Sequence, residues 1–138
     1  TVAQWLRDMS AEGVQPHEIG ILVRTEQELI RAKEAAGKAG LSFKVLDDRV
    51  ETLRGQAAIG TMHLAKGLEF RAVVVMACED EVIPLQSRIE SASDDGDLQE
   101  IYTTERHLLY VACTRARDYL LITSGGPGSE FLDDLKAK

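Results

Sequence analysis

Cysteine is almost missing from this chain. Two occur in 138 residues, Cys78 and Cys113, far apart and in no C-x-x-C pattern. That argues against a disulfide framework and makes both read as small core hydrophobes in a reducing compartment. A basic excess is missing as well: 16 Lys and Arg face 23 Asp and Glu, for a net charge of −7. A free-standing nucleic-acid binder normally shows the opposite balance, although a local basic site can operate inside a larger protein. No apolar run approaches the length of a membrane span, and the N-terminal residues do not read as a signal peptide. The expected location is cytoplasmic, with no membrane partner. Histidines at 17, 63 and 107 give no zinc spacing with the cysteines, and "DDGDLQE" fails the calcium-loop spacing. Nor is there a G-x-x-x-x-G-K-[ST] segment to cradle phosphates, or an acidic pair after a strand to hold Mg²⁺. "GGPGS" has the glycines without the lysine and reads as a turn.

What is present is globular. The chain is 44% apolar and 28% charged, and its length suits one domain with one core. Val2, Trp5, Leu6 and Met9 recur at helical spacing before a stop at Gly13. "EIGILVRT" (18–25) reads as a buried strand, and T-x-x-E at Thr25 and Glu28 as a capping box opening a helix to about Ala39. "SFKVL", "AAIGTM" (57–62) and "AVVVMA" (72–77) read as further strands, with Asp47–Gln56 a turn or short helix between the first two. Residues 86–97, acidic and Ser-rich, read as a loop. A helix follows from about Leu98 to Ala116, with Leu98, Ile101, Tyr102, Leu109, Ala112 and Ala116 on one face. "DYLLIT" (118–123) is a last strand, and Phe131, Leu132 and Leu135 suit a short terminal helix. Strands alternating with helices predict an α/β fold, a mostly parallel sheet with helices on both faces. The chain opens at Thr1 on what reads as the middle of a helix. It is expected to be one domain cut from a longer protein, with residues 1–17 a leading helix and linker and 18–135 the core.

Two segments carry more polar chemistry than their elements require. "TMHLAKGLEF" sets Thr61, His63, Lys66, Gly67 and Glu69 just before a buried strand. Ligands of open α/β sheets collect at the carboxyl ends of strands. Lys66 can meet a phosphate, Glu69 can accept from sugar hydroxyls, and Thr61 and His63 can donate to a nucleic-acid backbone. The plainer possibility is a polar connection in which His63 caps a turn. In "ERHLLYVACTRARDYLLIT", Arg115 and Arg117 close an amphipathic helix, where cations suit the helix dipole. The small residues around them also allow Arg115 to stand in an interface and stabilise a transferring phosphoryl group from outside.

Together these segments resemble motifs V and VI of the UvrD/Rep-type superfamily 1 helicases, in the right order and separated by a short acidic loop after "VIP". "ILVRT" followed by a helix is similar to the start of that family's second RecA-like motor domain, 2A, and "GGPGSEFL" to the way compact members end. The resemblance runs from about residue 18 to 132 and implies a RecA-like, P-loop-NTPase-type three-layer domain. It also implies roles. Glu69 would bond the ATP ribose, and Arg115 would be the arginine finger reaching the γ-phosphate. Thr61 and His63 would face single-stranded DNA, with Lys66 and Gly67 between the two sites. Arg106 would be a structural partner or a nucleotide-side residue. Where many relatives carry a second arginine, this chain has His107. Only 35 residues (26–60) separate "LVRT" from Thr61, too few for the inserted 2B domain of larger members. The family's N-Y-R-S motif does not occur.

The resemblance therefore implies the 2A motor domain, without 2B, of an ATP-dependent DNA helicase or translocase moving 3′ to 5′. ATP would sit between this domain and a missing 1A domain, which would hold most of the Mg²⁺ contacts. The isolated chain is expected to be inactive. The rival is an ATP-gated clamp or scaffold that unwinds nothing.

Overall fold

The computed structural model describes residues 2–47, 54–64, 67–76 and 86–123. Along the chain run α1 (Val2–Ala11), β1 (Ile19–Val23), α2 (Leu29–Lys38), β2 (Phe43–Val45), β3 (Ala57–Thr61), β4 (Phe70–Val75), α3 (Gln86–Glu90), α4 (Asp95–Cys113) and β5 (Ala116–Ile122). The strands form one sheet in the order β2-β3-β1-β4-β5, and every pairing is parallel. β1 lies at the centre, with Gly20 opposite Ala58 on one side and Val73 on the other. All five of its residues are buried, as an uninterrupted apolar run in a parallel sheet requires.

The alternation of side chains along each strand divides the core into two layers. Ile19, Ile21, Val23, Ile59 and Val74 pack with Leu6, Met9, Ala32 and Ala36 of α1 and α2. Leu22, Phe70, Val73 and Val75 face the other way, onto Leu109, Ala112 and Cys113 of α4. Burial pushes the Cys113 thiol up to about 11, so it is inert, as a core hydrophobe should be. Cys78 lies outside the described residues.

Three local readings of the sequence need correction. The acidic stretch 86–97 is not all loop: it holds α3 and the start of α4. The Asp94 carboxylate caps α4 by accepting from the Asp97 backbone N–H at 2.7 Å, and Asp95 and Asp97 occupy the first turn. Acidity that reads as solvation is also what the positive end of a helix prefers. Second, α4 ends at Cys113, so Arg115 lies in a turn and Arg117 on β5 instead of both closing the helix. Third, Thr25 and Glu28 bond side chain to side chain across a 3₁₀ turn (Glu26–Glu28) ahead of α2, with no side-chain bond from Thr25 to the helix backbone. The connector at 48–53, the "GGPGS" turn and the terminal helix fall outside the described residues.

One close approach ties the sheet centre to the segment that follows β3. A Cβ on Gly20 would stand 2.6 Å from Cδ2 of Phe70, so the ring lies directly on the glycine backbone. Gly20→Ala is therefore expected to lower stability by about 1–3 kcal/mol, the usual cost of overpacking a filled core. Urea unfolding would measure it, and adding Phe70→Leu should recover part of the loss.

Candidate functional site

Because β3, β1 and β4 run parallel, the sheet has a carboxyl edge and an amino edge, and the polar residues of interest divide between them. Thr61 ends β3 level with Val23 of β1. The Met62 N–H donates to the Val23 carbonyl at 2.7 Å and the Leu64 N–H to the Thr61 carbonyl at 3.1 Å, so His63 projects from a turn on the carboxyl edge. Thr61 is half-buried and His63 exposed. The chain must then return to the amino edge to begin β4, and the described residues of the connection, 62–64 and 67–69, hold no helix. Thr61 and Phe70 are separated along the strand direction by six residue levels, roughly 20 Å at about 3.3 Å per residue. Gly67, at φ 87°, adopts the left-handed backbone that a side chain would strain. Lys66 lies outside the described residues.

Glu69 is exposed at the amino edge, beside Arg115. The Phe70 N–H donates to the Arg115 carbonyl at 2.8 Å. The Arg115 guanidinium donates to the carbonyls of Val111 (Nε, 3.1 Å) and Leu68 (Nη1, 3.3 Å) and to Thr114 Oγ1 (Nη2, 3.3 Å). It thus links the Val111 carbonyl at the end of α4, which also accepts from Thr114 Oγ1, to the loop that carries Glu69. Glu69 and Arg115 share one edge, while Thr61 and His63 share the opposite one. The expectation that the whole "TMHLAKGLEF" segment gathers at the carboxyl ends of the strands is thereby corrected: only its first part does. Arg117 is exposed on β5, and Arg106 is exposed on α4. His107 lines a shallow cleft of about 280 Å³ with Met62, His63, Thr104, Leu108 and Val111, so it faces the His63 side of the domain and not the Arg115 end. Among the described residues, no group of three His, Cys, Asp or Glu is placed to hold a metal.

The sequence reading missed the most buried charges. Arg24, directly after β1, forks onto Glu105 of α4, with Nε to Oε1 at 2.9 Å and Nη2 to Oε2 at 2.7 Å. Arg88 of α3 adds Nη1 to Oε2 at 2.9 Å. Glu105 is fully buried and Arg24 nearly so. A signal was available: Glu105 occupies the gap in the helical stripe between Tyr102 and Leu109, where an apolar residue belongs. A carboxylate in that place calls for a buried cation, and Arg24, ending an apolar strand, supplies it.

This cluster acts on His63. Partial burial and the positive charge of Arg24 hold its pKa below the ordinary value of 6.5; Glu105 pulls it up, and Arg88 pushes it down again. Since the folded state takes up this proton less readily than the unfolded chain, stability should fall as the pH drops from about 6.5 toward the lowered midpoint, then level off. An NMR titration should place the His63 midpoint below 6.5. Arg88→Ala should move it up, and His63→Gln should abolish this part of the pH dependence of stability.

The family model described as the UvrD-like helicase C-terminal domain matches residues 41–125. Over 76 residues the chain is 43% identical to the ATP-dependent DNA helicase PcrA of Staphylococcus aureus strain Mu50, an alignment covering 55% of this chain and 10% of that protein. Against PcrA of Staphylococcus epidermidis strain RP62A it is 42% identical over 77 residues, 56% of this chain and 10% of the relative. The chain thus spans about a tenth of the length of the curated relatives it matches. A crystal structure of the C-terminal domain of a possible DNA helicase from a Lactobacillus (strain WCFS1) superposes with a TM-score of 0.63 at 23% identity, covering 95% of this chain and 68% of that one. That likeness of fold accords with the expected RecA-like α/β architecture. With more than half of its length matched, the chain belongs to the UvrD-like helicase C-terminal domain family.

Proposed function

We propose that this chain is the 2A motor domain of an ATP-dependent DNA helicase or translocase, working against a 1A domain that carries the phosphate cradle. The observation that carries the reading is the division of residues between the two sheet edges, joined by one connection from Thr61 to Phe70. On the amino edge, Glu69 accepts from the ribose hydroxyls of ATP. Arg115 lies one peptide away, its backbone bonded to Phe70, where a planar permanent cation meets the charge that develops on the γ-phosphate. A carboxylate and a guanidinium on one sheet edge fit a nucleotide held from its sugar to its phosphate. On the carboxyl edge, Thr61 and His63 face single-stranded DNA, and a depressed pKa keeps His63 a neutral hydrogen-bonding group at physiological pH. Gly67 stands between, and it and the neighbouring Lys66 in the sequence pass nucleotide state to DNA grip. Mg²⁺ is held mainly by the 1A domain, and movement runs 3′ to 5′.

By this reading the isolated chain has one wall of the cleft and does not hydrolyse ATP. A ribose and a phosphate contact alone do not offset the entropy of capturing a free ligand. The experiment is on the protein that joins this domain to its 1A partner. Arg115→Ala should lower DNA-stimulated turnover by about 10³ to 10⁵ while leaving ATP affinity nearly unchanged, and Arg115→Lys should rescue little because an ammonium lacks the planar fork. Arg117→Ala, on an exposed position of β5, is the control and should have a minor effect. Thermal melting separates catalytic loss from the loss of the helix-end bonds, each worth about 1 kcal/mol. Equal, mild effects at both positions would leave Arg115 as a helix-end cation and remove the catalytic assignment.

A further inference from the structure

We propose that Arg88, held in place by Glu105, binds a backbone phosphate of single-stranded nucleic acid passing the carboxyl edge of the sheet. The inference rests on the proposed path along Thr61 and His63 and adds a cationic contact to it.

The argument starts from a charge surplus. Arg24 already engages both oxygens of Glu105 in a fork-to-fork pair, which by itself neutralises the carboxylate. A second guanidinium on Oε2 is not needed to neutralise the carboxylate. It places an extra positive charge beside a buried arginine, which is unfavourable unless an anion offsets it. The two arginines differ in access: the Arg24 side chain is 6% exposed and the Arg88 side chain 38%. Arg24 is therefore the internal partner and Arg88 the one that solvent and ligand can reach. Its contact with Glu105 occupies Nη1, and the fixed planar fork of a guanidinium has further donors to offer an oxyanion.

Location selects the anion. Arg88 shares Glu105 Oε2 with Arg24, which directly follows β1, so it stands on the same edge as Thr61, near enough to His63 for its charge to act on that imidazole. The nucleotide phosphates proposed for Arg115 are on the opposite edge, roughly 20 Å along the strands. A phosphodiester of the strand is within reach, and a phosphate of ATP is not. In a chain of net charge −7, two guanidinium groups on one carboxylate among the described residues also give an otherwise repelled polyanion a defined place to touch down.

The test uses the protein carrying both motor domains, with anisotropy of an oligo-dT strand measured over a range of KCl. Arg88→Gln keeps a donor for Glu105 and removes the charge. It should reduce the slope of log affinity against log salt by about 0.7, the value for one phosphate contact on a single strand. At 0.1 M salt that corresponds to a loss of roughly fivefold against a 1 M reference. Arg88→Lys should retain the slope. If Arg88→Gln leaves slope and affinity unchanged while lowering the melting temperature, Arg88 is only a structural pin and the proposal fails. It fails equally if the variant raises KM for ATP at saturating DNA with the DNA slope intact, because the phosphate would then belong to the nucleotide. Thr61→Ala and His63→Ala in the same assay separate the two levels. If they weaken binding and Arg88→Gln does not, only this contact is wrong; if none of the three has an effect, the strand runs elsewhere.

Discussion

A carboxylate shut away from water at Glu105 governs how the domain is assembled. A buried ion costs several kcal/mol in lost hydration unless its oxygens are fully hydrogen-bonded, and the Arg24 fork meets that demand. Arg24 ends the central strand and Glu105 lies in the middle of α4, so the pair permits one rotation and one register of the helix on the sheet. With that register set, Leu109, Ala112 and Cys113 fall onto the layer formed by Leu22, Phe70, Val73 and Val75. The end of α4 then brings Arg115 to the Leu68 carbonyl. Slipping the helix by a turn would strand the charge and empty the apolar contacts together.

The sheet edges are joined by two routes of different stiffness. One is the connection from Met62 to Glu69, anchored where Phe70 covers Gly20. The other is α4, which runs from the Glu105 cluster to the turn holding Arg115; the eight residue steps from Glu105 to Cys113 span about 12 Å of rigid helix. On the proposed reading, a change at the nucleotide edge meets both a loop with a left-handed glycine and a packed rod. An element with two discrete arrangements is needed to carry a signal, and a continuous packed helix offers no second one.

Much of this architecture was legible in the residues. Apolar runs at Ile19–Val23 and from Ala72 onward announce buried strands because no solvent-facing alternation interrupts them, and α1 ends just before the stop placed at Gly13. The polar density of "TMHLAKGLEF" marks a site before any fold is known. Its division between opposite edges is not legible, because that follows from β3 and β4 both pairing with β1 in parallel, a long-range fact. The bonds of Arg115 depend on α4 unwinding at Cys113, a matter of one turn. Asp94, Asp95 and Asp97 are ambiguous in the sequence because acidic residues suit both a solvated loop and a helix start, and only the Asp94 contact with the Asp97 N–H decides between them.

The central place of β1 has a consequence for how the chain comes into being during synthesis. Gly20 pairs with Ala58 and Val73, and Val73 in turn pairs with Leu120, so each of these ladders joins segments made far apart in time. An emerging chain that has produced α1, β1 and α2 owns one complete helical layer and a strand with both sides bare. Such exposed edges invite wrong partners, and non-local parallel pairing closes slowly. Arg24 is made early and Glu105 late. Until α4 leaves the ribosome, the guanidinium that will end up sealed inside the domain keeps the end of that bare strand charged and hydrated, which helps to protect a half-made sheet from its neighbours.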